Sequence, residues 1–154
     1  MVTLSINTSE LVAVLRASSP DSQAGYDQAA LAGVDRRVSV IVVHDLVRGA
    51  ETSVYPSRRR RQLDRLLTGL TVEDFTRVDA EAAGELSARL RQRGSPIGDI
   101  DTLIAGQALV RGWTVVTRNV RHFGRVAGLP LIDWSVGPEP LSASQIAART
   151  DGDA

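Results

Sequence analysis

The sequence predicts a three-layer α/β/α sandwich around a mostly parallel sheet of roughly five strands. Three observations carry that expectation. Short β-branched or apolar runs recur along the chain: VTLSI at 2–6, VSVIVV at 38–43, FTRV at 75–78, WTVVT at 113–117 and LPLI at 129–132. Segments with helical spacing separate them, as in βαβ crossovers. The run at 38–43 is almost continuously β-branched, as strands covered on both faces tend to be.

Taken in order, the first run feeds a helix over 10–16 through Asn7, Thr8 and Ser9, and a polar helix follows over about 21–34. The second run leads directly into His44, Asp45 and a helix through about Ala50, with another helix from about Ser57 to Leu67. After the short third run, Asp79 is expected to cap a helix over 80–93 that Gly94 terminates. Residues 99–111 form a further helix with acids in its first turn, and Asp99 after Gly98 is read as its N-cap. Two strands then close the sheet. Gly137, Pro138 and Pro140 mark a tail, so the chain divides into a folded domain over 1–135 and a partly flexible tail over 136–154 with a short helix capped by Ser142.

At 154 residues, 43% of them hydrophobic, the chain suits one domain with a real core. The absence of cysteine excludes disulfides and thiolate zinc sites and points to a reducing cytoplasm. No stretch is apolar for long enough to span a bilayer. Eighteen basic residues balance 18 acidic ones, so the whole molecule does not attract a polyanion. Every basic residue is arginine, which a GC-rich coding sequence explains better than a specialised phosphate grip.

In open α/β sheets, ligands bind outside the carboxyl ends of the strands. That rule selects Asn7, Asp45 and Asn119, each expected just beyond a strand, and adds Asp101 if the first turn of its helix points the same way. Asp45 and Asp101 both interrupt apolar surroundings; helix capping accounts for either one alone equally well. Converging oxygen ligands are what Mg²⁺ or Mn²⁺ require.

Four blocks, LSINTSELVAVL, SVIVVHDLVRGA, GSPIGDIDTLIAGQALVRG and TVVTRNVRHF with LPLIDW, resemble in order the PIN domain of VapC-type toxins across nearly the whole chain. The resemblance implies a PIN-like fold and an endoribonuclease dependent on Mg²⁺ or Mn²⁺. It further implies a toxin that cuts RNA in the cytoplasm, pairs with a small antitoxin and dimerises with its own copy. Mapped onto this sequence, Asn7, Asp45 and Asp101 are the metal-ligating positions, Asn119 completes the catalytic set, and Thr8, Ser9 and Thr117 support it. Two positions depart from the family. Asn7 stands where an aspartate is usual, offering a carbonyl oxygen without charge; Asp45 stands where glutamate is usual, one methylene shorter. The chain as written is therefore expected to cut RNA poorly or not at all.

His44 and His122 are the only histidines and are read as ordinary polar or packing residues. The run Arg58–Arg61 covers every face of a helical turn and is mainly solvated; its functional reading is that Arg58 and Arg61, with Arg118 or Arg121, contact RNA phosphates or an acidic antitoxin segment. Trp113, Phe123 and Trp134 are expected in the core or at its rim. The rival reading is a catalytically dead PIN-like module that only binds RNA or a protein partner. A nucleotide-binding fold is disfavoured because no glycine follows the first strand.

Overall fold

The computed structural model describes residues 2–151; Met1 and residues 152–154, the end of the expected tail, lie outside that range. Strand β1 (Thr3–Ile6) is followed by α1 (Thr8–Leu15) and α2 (Pro20–Leu31), and β2 (Asp35–Ser39) by α3 (Val40–Glu51) and α4 (Pro56–Thr68). Next come β3 (Thr71–Glu73), α5 (Arg77–Gln92), α6 (Asp99–Arg111), β4 (Thr114–Val116), α7 (Val120–Phe123), β5 (Leu131–Ile132) and α8 (Ala143–Thr150). The five strands form one sheet in the order β3-β2-β1-β4-β5, and every pair is parallel. The chain winds from β1 through β2 to β3 on one side, then crosses to β4 and β5 on the other. The crevice where winding reverses lies between β1 and β4, at their carboxyl ends.

Ile6, Val38, Val115 and Leu131 fill the sheet's interior and are fully buried. Leu11, Val42, Leu63, Leu86, Leu90 and Ile104 from the helices pack with them as one core. Phe123 joins this core fully buried, and Trp113 and Trp134 are almost so.

Four local expectations are corrected. The run Val40–Val43 is not strand but the first turn of α3: the Ser39 side chain accepts from the Ile41 amide, and Val42, Leu46 and Ala50 are buried at i, i+4 and i+8. Burial along one stripe outweighs the β preference of the branched residues. The strand before it is the polar DRRVS segment, whose charges are satisfied laterally: Arg37 pairs with Asp35 at 2.8 Å and with Glu73, and Thr3 donates to Asp35 at 3.1 Å. The third strand is Thr71–Glu73 rather than 75–78. The N-cap of α5 is therefore Thr76, with Asp79 as its reciprocal partner three residues on.

Gly98, at φ +92°, is the N-cap of α6, which makes Asp99 the first helical residue and not the cap. Gly112, at φ +69°, ends α6 in the left-handed conformation that glycine adopts without strain. In the tail, Ser142 caps α8 in a capping box with Gln145. Helix α8 seats on α7 and is tied to the sheet by an ion pair between Arg149 and Asp133.

Candidate active site

The residues singled out in sequence gather at the crevice between β1 and β4 in an arc of two hydrogen-bonded runs joined by the Asn7–Thr8 peptide bond. At its centre Asn7, buried just past the end of β1, donates from Nδ2 to Thr117 Oγ1 at 3.1 Å. Thr117, fully buried past the end of β4, accepts the Asn119 amide on the same oxygen at 2.9 Å. Asn119 in turn donates from Nδ2 to Asp101 Oδ2 at 3.2 Å. On the other side Thr8 donates to Asp45 Oδ2 at 3.4 Å. The arc therefore runs Asp45, Thr8, Asn7, Thr117, Asn119, Asp101, bringing together residues from α3, β1, β4 and α6. Ser9 closes it from behind, accepting the Arg118 amide at 3.3 Å.

Position in the fold explains each placement. Asp45 comes not from a strand end but from the second turn of α3, on the flank of the buried stripe. Asp101 is in the first turn of α6, where the helix's positive end favours a carboxylate.

The polar bookkeeping is uneven. Asn7 Oδ1 is buried with no donor in reach, whereas its amide nitrogen is satisfied. A buried acceptor without a donor is costly to leave unpaired. Asp45 is meanwhile served by Arg48 at 3.0 Å, an exposed side chain that can withdraw into solvent. Among the described residues, no three Asp, Glu, His or Cys side chains gather as a ligand set. Asn7 stands between Asp45 and Asp101 in the arc as a neutral amide, where an aspartate would add a third carboxylate. The donor set thus fits a hard divalent cation in chemistry, oxygen for oxygen, while falling one negative charge short.

Several participants were not visible in sequence. His122 is no bystander: its Nδ1 lies 2.8 Å from Asp101 Oδ2, and since an ionised carboxylate only accepts, that nitrogen carries the hydrogen. The contact depends on α7, too short for periodicity to announce. His44 is exposed, 3.9 Å from Asp45. A groove between α1, α3 and α4 includes Asp45 and is lined by Val12, Leu15, Leu46, Ala50 and Leu63, with Arg16 and Arg59 among its polar residues.

Within the arginine run, then, Arg59 shares the groove with Asp45. Arg60 pairs with Glu51 at 2.9 Å, and Arg58 and Arg61 line a separate depression with Val54 and Tyr55. Arg118 and Arg121 are exposed beside the arc. Glu10, one residue after Ser9, is fully buried; burial pushes its carboxyl above the usual range, against the pull of Ser22 and Arg118.

Residues 2–129 match the family model described as the PIN domain. The chain is 37% identical over 98 residues to the tRNA(fMet)-specific endonuclease VapC of Shigella flexneri, spanning 64% of this chain and 74% of the relative. It is 37% identical over 97 residues to ribonuclease VapC2 of Haemophilus influenzae, spanning 63% and 74%. Among solved structures it is similar to DNA-bound VapBC from Salmonella typhimurium, with a TM-score of 0.80 at 28% identity over 87% of this chain and 99% of the other.

Proposed function

The chain belongs to the PIN domain family, and within it to the VapC-type ribonucleases; from that premise we propose that it is the metal-dependent endoribonuclease of a toxin–antitoxin pair, attenuated or inactive as written because position 7 is asparagine. The observation that supports the reading is the arc itself: hydrogen bonds chain Asp101 through Asn119 and Thr117 to Asn7, whose Oδ1 is buried without a donor, and the neighbouring Thr8 bonds Asp45.

Asp45, Asp101 and the Oδ1 of residue 7 would hold Mg²⁺ or Mn²⁺, with Asn119 beside them. A bound divalent ion supplies charge against the scissile phosphate and a water acidic enough to attack it. The chain's own work is positional. Thr117 fixes the side chain of residue 7 and the backbone of Asn119 through one oxygen, and Thr8 steadies Asp45. Asn119 and His122 hold Asp101 in one orientation.

RNA is the substrate, with Arg118 and Arg121 gripping phosphates next to the arc. A small antitoxin is the natural partner in the cytoplasm. The apolar groove that includes Asp45, with Arg16 and Arg59 among its residues, suits a segment carrying apolar and acidic side chains, and Arg58 and Arg61 extend the basic surface. Pairing with a second copy is supported by exposed Val78 and Val110, beside the contact of Asp79 with Arg111.

Asn7→Asp protein freed of antitoxin should cleave RNA with Mn²⁺ or Mg²⁺ roughly 100-fold faster than the Asn7 chain, the scale set by a charged group at the reacting centre. Intact single-stranded and structured RNAs with either metal would refute the enzymatic reading.

A further inference from the structure

Helix α7 carries His122 and has Asn119 as its N-cap, and both side chains reach Asp101 Oδ2. Four residues are too few to hold a helix by themselves. Val120 and Phe123 anchor α7 in the core, and α8 packs over its end. Ile146, Arg149 and Thr150 lie on one side of α8 at i, i+3 and i+4. The methyl groups of Ile146 and Thr150 close over Gly124, the residue that ends α7, so tightly that a Cβ there would meet them at 2.8 and 2.7 Å. Arg149 pairs with the nearly buried Asp133 just after β5. Helix α8 lies outside residues 2–129, the stretch matching the family model.

We propose that α8 is a positioning element of the metal site: by clamping α7 it keeps Asn119 and His122 on one oxygen of Asp101, fixing the carboxylate for the cation. The inference rests on the metal-site reading, and His122 acts through Asp101 as a positioning residue.

The test uses the full-length Asn7→Asp chain. Ile146→Asp with Arg149→Ala should undock α8. Without metal, backbone amides of residues 122–124 should then exchange with deuterium at least tenfold faster while those of β1 and α6 stay protected. Mn²⁺ affinity by calorimetry should fall about tenfold, the usual effect of losing a support behind a ligand. Ile146→Val should change neither. His122→Ala should weaken Mn²⁺ binding without exposing α8, and His122→Asn, whose amide can donate from a similar place, should recover it in part. Unaltered exchange at 122–124, unaltered Mn²⁺ affinity, or equal loss of protection throughout the protein would each overturn the clamp. Failure of the Asn7→Asp parent to bind Mn²⁺ would instead contradict the metal-site reading, and the metal-free exchange measurement would still decide what α8 does.

Discussion

Asp79 and Asp101 sit near opposite ends of one helical hairpin, and their surroundings differ in kind. The Asp79 carboxylate accepts from the Thr76 amide at 2.8 Å, from Gln107 at 3.3 Å and from Arg111 at 2.7 and 2.9 Å. Arg111 also bonds Glu73 at 3.1 Å and lies 5.1 Å over the Trp113 ring. Every charge in this cluster is matched, and the hydrogen bond from Arg111 above all holds the Asp79 carboxyl down at about 2. The arc around Asn7 leaves the buried Asn7 Oδ1 without a donor and neutralises Asp45 with a solvent-exposed arginine. Each cluster holds one buried amide oxygen without a donor, Gln107 Oε1 and Asn7 Oδ1, so the difference lies in the pairing of the carboxylates: the partner of Asp79 is itself largely buried, and that of Asp45 is exposed.

Breaking each cluster sharpens the contrast. Arg111→Ala strands a buried carboxylate and should lower stability by about 2–4 kcal/mol in urea unfolding at neutral pH. Arg48→Ala, which removes an exposed ion pair, should change it by less than about 0.5 kcal/mol. Similar losses would erase the distinction.

The acid limb offers a smaller effect. Because the Asp79 pKa is depressed in the fold, its contribution is complete above about 4 and is lost as pH falls towards 2. That loss, roughly 2 kcal/mol, should vanish in Asp79→Asn, which starts less stable at neutral pH. A wild-type acid slope retained in Asp79→Asn would show that another group is responsible.

Glu10 has the opposite sign. Its carboxyl is raised by burial, so it favours the fold most when protonated and the benefit declines as pH rises through its folded pKa. Glu10→Gln should remove that decline, making the variant relatively more stable at pH 8 than at pH 5. A parallel pH profile for the two proteins in urea unfolding would reject the assignment.

How much of this was legible in sequence follows the range of the forces involved. Strands β1, β4 and β5 and the α6 helix could be read locally, because apolar runs and caps are written in neighbouring residues. The VIVV segment could not, since a β-branched run serves a buried helical stripe as well as a strand and only the packing of Val42, Leu46 and Ala50 decides. Strand β2 was hidden because the partners of its charges, Thr3 and Glu73, are remote in sequence. The carboxyl-edge rule reached Asn7 and Asn119 correctly as positions, and reached Asp45 by way of a strand that is in fact a helix. The contact of His122 with Asp101 had no local signal, because it depends on the four-residue α7, too short for periodicity to reveal.

The most direct test is a calorimetric titration of Mn²⁺ into the Asn7→Asp protein and into the same protein with Asp101→Asn. If residues 7, 45 and 101 form a cation site, three carboxylates there should give saturable binding at least about tenfold tighter than that of the Asn7 chain, abolished when Asp101 is neutralised. Absence of saturable binding in Asn7→Asp, or binding indifferent to Asp101, would mean that these oxygens do not form a cation site and that the chain is at most a binding module.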